Sequence, residues 1–396
     1  MIDGTAHLLR YRTAKQNMRN SFLFLCMLAS AGALLPMRHV LAAKPAPAEP
    51  TASRASTEIG VHTGAAYRID IPANWNRDVI VFYHGYAIEP VTFRGGDPIS
   101  PMFDPMLKQG FAVIQSAYSA SGWAVEQGYA DSEQLRQYFV TRHGRPEQTF
   151  VMGMSMGGTL TAMTIESRPE VYAGALSLCG AIEPTDRLMQ RDFALRAAFD
   201  YYFPGLLGPL VPVPAQYQPN ELTERKIAGA LASNPHAMQS LLRFYGAADA
   251  SNLAPVIAFI TYDTKEMQQR THANPFGNAD LIYTGTGDDF ALNDGVRRYR
   301  SEPHALAYMS RWYMPTGKLR RPMLALHDSG DPLVPASSAF EYAMIAQRAG
   351  HGGNFVQQYV NREGHCVFTP TEVGRAFDEL VEWVRHGNRP ISGKLQ

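Results

Sequence analysis

The strongest constraint on this chain is a set of short, almost continuously apolar runs. Asp78-Val-Ile-Val-Phe-Tyr83 is the first, followed by Gly110-Phe-Ala-Val-Ile-Gln115, Thr149-Phe-Val-Met152 and Ala173-Gly-Ala-Leu-Ser-Leu178. Runs of this length and composition read as strands buried on both faces. Tyr67-Arg-Ile-Asp-Ile71 differs, because it alternates with period two and predicts a half-buried strand. Helical patterns lie between them, over 131–138 and 156–166. Strands alternating with helices imply βαβ units, hence an α/β fold with a mostly parallel central sheet flanked by helices.

The alternation breaks between about Ala181 and Lys318, where helix-like stretches and prolines replace strand runs. It resumes with Pro322-Met-Leu-Ala-Leu-His327 and Asn354-Phe-Val-Gln-Gln-Tyr-Val360. A closing helix over 371–385 carries Val373, Phe377, Leu380, Val381 and Val384 on one face. The expected organisation is a core made of 59–180 and 321–390, interrupted by a mainly helical cap over 181–320.

Before the core, Arg12, Lys15 and Arg19 precede the apolar run Ser21–Leu35, and Val40-Leu41-Ala42 follows with short side chains where a signal peptidase reads. These are the parts of a secretory signal over 1–42, with Met18 a fitting start, and they imply export to the periplasm or the extracellular space. Residues 43–58, rich in Ala, Pro, Ser and Thr, read as a disordered lead-in. No stable membrane span is expected after cleavage, since a span needs about 20 apolar residues.

Composition narrows the function. Lys+Arg and Asp+Glu are both 36, so the chain lacks the basic excess of a nucleic-acid binder. Cys26, Cys179 and Cys366 form no C-x-x-C pair, which argues against structural zinc. Cys26 leaves with the signal. Cys179 and Cys366 remain, either bridged or as two buried thiols.

The stretch that carries chemistry is Gly153-Met-Ser155-Met-Gly157-Gly158, after a predicted strand and opening a predicted helix. A turn that tight excludes a Cβ at the flanking glycines and exposes the serine Oγ. The N–H of Met156 then opens a helix, whose positive end suits a developing oxyanion.

Here the chain resembles the α/β-hydrolase family, whose order is Ser, then Asp or Glu, then His. The next core strand ends His327-Asp328-Ser-Gly330-Asp331-Pro-Leu-Val-Pro335, which is similar to the family's acid loop and implies Asp331 as the acid, with Asp328 the alternative. The last strand is followed by Gly364-His365-Cys366, which implies His365 as the base. Tyr83-His84-Gly85-Tyr86 resembles the oxyanion segment, so the N–H of Tyr86 is the expected second donor and His84 a brace. Such a triad transfers an acyl group to water with no cofactor and no metal.

The resemblance leaves the bond cleaved open. The cap's Tyr201, Tyr202, Phe203, Leu206, Leu207, Phe244 and Trp312 favour a carboxylic ester with an apolar acyl or aryl group. Trp123 and Phe203 are the expected pocket residues. The second reading is a prolyl-peptidase or aminopeptidase type of serine peptidase, for which Glu183, Asp186, Arg191 or Asp192 would anchor a peptide terminus. The third is a non-catalytic binding protein, disfavoured by an intact Ser155, Asp331 and His365. A Cys179–Cys366 bridge would pin the histidine loop to the sheet.

Overall fold

The computed structural model describes residues 54–247, 250–312 and 314–395; the expected signal and most of the lead-in lie outside them. The first half contains β1 (Ser56–His62), β2 (Ala65–Ile71), β3 (Val79–Tyr83), α1 (Asp104–Lys108), β4 (Ala112–Ser116), α2 (Val125–His143), β5 (Thr149–Met154), α3 (Met156–Ser167) and β6 (Gly174–Leu178). Among the described residues six helices follow without a strand between them: α4 (Thr185–Tyr202), α5 (Glu221–Ser233), α6 (Pro235–Tyr245), α7 (Ala250–Thr271), α8 (Asp289–Gly295) and α9 (Pro303–Trp312). The chain closes with β7 (Met323–Gly330), α10 (Ser337–Arg348), β8 (Phe355–Glu363), α11 (Pro370–His386) and β9 (Gly393–Lys394).

The nine strands of the described residues join one sheet in the order β1-β2-β4-β3-β5-β6-β7-β8-β9. The β1–β2 and β2–β4 pairs are antiparallel, and every pair from β4–β3 to β8–β9 is parallel. With helices on both faces and a helical insertion after β6, this is the α/β-hydrolase fold with a helical cap. Along β3 the pleat sends Val79, Val81 and Tyr83 into one core and Ile80 and Phe82 into the other. The second core is sealed by α11, whose Phe377 meets Phe111 at 5.0 Å and Phe150 at 5.4 Å. Aromatic pairs of this kind contribute about 0.5–1.5 kcal/mol beyond their burial.

Three sequence expectations need correction. The strand expected to be half-buried is buried on both faces, because Arg68 Nε donates to Asp70 Oδ2 (2.7 Å) and its Nη1 to the Asp97 carbonyl (2.7 Å). An internal ion pair thus neutralises the polar face. The lead-in ends earlier than expected, since Ser56 to Glu58 already pair with Ile71 to Ile69 in β1. The strand carrying Asp328 also runs on to Gly330, so Asp328 is a fully buried strand residue rather than a loop residue.

Candidate active site

Ser155 sits between β5 and α3 with φ 54° and ψ −122°, a backbone conformation that a non-glycine residue adopts only under constraint. The constraint comes from the neighbouring strand: the Ser155 N–H donates to Leu178 O (3.0 Å), and Ser155 O accepts from Gly158 N (2.8 Å) and Ala181 N (3.3 Å). A Cβ on Gly153 would collide with Gly157 O, and one on Gly157 with Tyr83 O. The flanking glycines are there because backbone occupies the space a side chain would need.

Three strand ends converge on this serine. His365 Nε2 lies 2.8 Å from Ser155 Oγ, and His365 Nδ1 lies 2.6 Å from Asp331 Oδ2. An ionised Asp331 can only accept, so Nδ1 carries the proton and Nε2 is left to accept from the serine hydroxyl. Asp331 Oδ1 accepts from the N–H groups of Leu333 and Val334, both at 2.9 Å, which fixes the carboxylate plane. His327, buried beneath, reaches Val334 O at 2.8 Å and lies 3.7 Å from Asp331 Oδ2. Burial lowers its pKa, so it braces the loop as a neutral ring.

The histidine loop is held from several sides. Gly364 N donates to Gly330 O (3.3 Å), joining the β7 and β8 ends. Cys366 is bonded to Cys179 at the end of β6, with a Cα–Cα distance of 5.3 Å. Asp328 Oδ2 accepts from Val367 N (3.2 Å), so the alternative acid supports the loop and is not the group on His365. Burial and the charge of Asp331 push the Asp328 carboxyl up to about 6. Glu372 completes a capping box with Thr369 at the start of α11 and binds Arg362, which holds its carboxyl down to about 2.

Met156 is the first residue of α3, so its N–H has no acceptor within the helix. On the opposite side, a Cβ on Gly85 would lie 3.2 Å from Ser155 Cβ, which puts the His84-Gly85-Tyr86 segment against the serine. His84 stacks on Tyr118 at 3.8 Å and its Nδ1–H donates to Gly85 O (2.7 Å); the ring braces the segment.

The two expected pocket residues separate. Trp123 is buried beneath the cap, its backbone N–H donating to Glu266 Oε2 (3.2 Å). Phe203 meets Phe199 at 4.9 Å and packs, half-buried, against the core. Phe244, another cap aromatic, lines a cavity of about 440 Å³ with Leu281, Met314 and Arg191. Arg191 also donates to Leu333 O (2.9 Å), and Tyr245 to Asp192 (2.9 Å), so α4 is docked on the loop that carries Asp331 and α6 on α4.

Sequence reasoning missed α7. Its Phe259 meets the Tyr86 ring at 5.1 Å, and Arg270 donates to Ser121 O (2.8 Å), so it covers the loops after β3 and β4. The acidic Asp263 and Glu266, following the apolar run from Leu253 to Ile260 in one helical stretch, were the available signal.

No family model matches the chain. The o-phthalyl amidase of Xanthobacter agilis is 22% identical to it, across 84% of this chain and 88% of that protein. Among solved structures, the acylaminoacyl peptidase of Pyrococcus horikoshii is similar at 10% identity and a TM-score of 0.42, covering 85% of this chain and 42% of the peptidase. The chain therefore spans less than half the length of that enzyme. Est1E of Butyrivibrio proteoclasticus is similar at 11% identity and a TM-score of 0.41, covering 82% of this chain and 98% of Est1E. The esterase LipA of Xanthomonas oryzae gives 15% identity and a TM-score of 0.41, covering 81% of this chain and 86% of LipA.

Proposed function

We propose that this chain is a serine hydrolase that cleaves an acyl–nitrogen bond. The observation that supports it is the unbroken line from Asp331 through His365 to Ser155, with steps of 2.6 and 2.8 Å. Ser155 Oγ attacks the acyl carbon while His365 Nε2 takes its proton. The tetrahedral oxyanion is met by the N–H groups of Met156 and Tyr86. His365 returns the proton to the leaving amine and the acyl-enzyme forms. Water, deprotonated by His365, then releases the acid and restores Ser155.

The amide reading takes precedence over the carboxylic ester because the amidase from Xanthobacter is similar along nearly the whole of both chains. The ester reading is the second, supported by the Phe244, Leu281 and Met314 lining of the cavity beside Arg191. Export is part of the proposal. It is supported by the basic and apolar segments before residue 43 and by the joined Cys179 and Cys366. No helix among the described residues is long and apolar enough to cross a membrane.

The test is hydrolysis of p-nitroanilides and p-nitrophenyl esters of the same acyl groups by the mature protein, beside Ser155→Ala. The amide reading expects the larger acceleration over the uncatalysed reaction for the anilides. A larger acceleration for the esters reverses the order of the two readings. Equal rates for wild type and Ser155→Ala remove Ser155 as the nucleophile.

A further inference from the structure

The cap interior holds more carboxyl groups than its cations neutralise. Arg191 pairs with Asp192 at 3.3 Å, and Arg270 pairs with Glu266 at 2.6 Å. Glu183 and Asp263 are both 6% exposed and have no ion-pair partner among the described residues. Glu183 keeps an orphaned Oε1, and burial pushes its carboxyl up to about 7.

Asp263 is the sharper case. Among the described residues no hydrogen bond reaches its carboxylate, and its Oδ1 is buried with no partner. The side chain's position follows from its neighbours on α7. Residues 259, 263, 266 and 270 share one helical face. Phe259 on that face touches the Tyr86 ring, Glu266 accepts from Trp123 N, and Arg270 donates to Ser121 O. Asp263 therefore faces the loops that begin at the ends of β3 and β4, next to the segment that carries the expected oxyanion donor. Among the described residues Tyr86 Oη is likewise buried and without a partner, and burial first, then the charge of Asp263, raises the pKa of its hydroxyl.

We propose that Asp263 and the Tyr86 hydroxyl form a subsite for a protonated amine of the substrate, beneath α7 and beside the oxyanion segment. The inference rests on the hydrolase reading and supplies its substrate class: amides or esters that carry an ammonium group.

The chemistry selects a cation. An ammonium has three donors and no acceptor, and it meets two oxygens that lack donors. A buried carboxylate without a partner is costly, and a cation offsets that cost. Burial and the nearby charges of Glu266 and Asp192 hold the Asp263 carboxyl well above the usual range, so an arriving cation stabilises the ionised form. An anionic ligand would find Arg191 and Arg270 already paired with carboxylates and would face Asp192, Glu183 and Glu266 as well.

The experiment measures how fast a fluorophosphonate labels Ser155 in the full mature protein, with benzylammonium, benzyl alcohol or benzoate present. The three probes share a ring and differ in charge. Benzylammonium is expected to protect at about tenfold lower concentration than benzyl alcohol, the size of one charge-assisted hydrogen bond. Equal protection by the two, or stronger protection by benzoate, overturns the proposal. Asp263→Asn is expected to remove the ammonium preference, measured as the ratio of the two protection constants within the variant; a retained preference overturns it. If that variant does not fold, Tyr86→Phe provides the same ratio and is expected to reduce it. A wild type that takes no label is a failure of the hydrolase reading instead. In that event calorimetric titration decides the subsite, with heat from benzylammonium alone supporting it and no preference over benzyl alcohol overturning it.

Discussion

Cys179 and Cys366 are joined across a sequence separation of 187 residues, and the bond ties the residue after His365 to the end of β6. The expected base is therefore anchored to the strand whose Leu178 carbonyl holds the backbone of Ser155. Ser155 and His365 thus share one support.

Removing the crosslink should loosen both the chain and the site. Closing a loop of that length restricts the unfolded state, with a typical gain of about 3–5 kcal/mol. Cys179→Ala with Cys366→Ala is expected to lose stability of that order in urea denaturation. Hydrolysis should fall by a larger factor than the folded fraction does at the assay temperature. A double variant with unchanged midpoint and unchanged rate would show that the loop is held without the bond.

The two aspartates of the acid loop should separate cleanly by substitution. The Asp331 carboxylate contacts His365 and two loop N–H groups, while the Asp328 carboxylate, among the described residues, accepts a hydrogen bond only from Val367 N. Asp331→Asn should lower kcat by roughly 10³–10⁴, because the amide leaves the imidazole without its ionised partner. Asp328→Asn keeps an oxygen for Val367 N and should cost less than about tenfold. The reverse ranking, measured on one chromogenic substrate, would give the acid's role to Asp328.

Much of this was legible in the sequence, for identifiable reasons. The buried strands were visible because parallel strands covered on both faces leave uninterrupted apolar runs, as in Val79–Tyr83. The meeting of Ser155, Asp331 and His365 was legible because each follows such a run, so strand ends bring the three side chains together. Arg68 and Asp70 misled, since a period-two polar pattern signals solvent unless the two polar groups satisfy each other. Asp263 was hidden because its meaning depends on which face of α7 meets the Tyr86 loop, and that is set by contacts between segments far apart in sequence.

Asp328 should also leave a mark on stability against pH. Its folded carboxyl is raised to about 6, above the ordinary value of 3.8. Between those values the folded state holds a proton that the unfolded state has released, so stability falls as pH rises through that window. Above the folded value the loss is complete. Asp328→Asn cannot titrate, so its stability relative to wild type should improve between pH 4 and pH 7. Urea midpoints of the two proteins at both pH values check this, and parallel pH profiles would show that Asp328 ionises equally easily folded and unfolded.

Two glycine substitutions of the same chemical size should move in opposite directions. A Cβ on Gly157 would collide with the backbone carbonyl of Tyr83 and lie 2.8 Å from that of His84, and neither carbonyl can yield without moving β3 and the loop after it. Gly157→Ala should therefore cost more than about 4 kcal/mol, in the range where a domain stops folding. Gly229 lies exposed within α5, and a Cβ there meets nothing within 4 Å. Gly229→Ala should instead stabilise by about 0.5–1 kcal/mol through helix propensity alone. Thermal melts of the two variants beside wild type distinguish a turn closed by backbone contact from one that merely prefers glycine, and a soluble, fully folded Gly157→Ala would refute the packing assigned to the Ser155 turn.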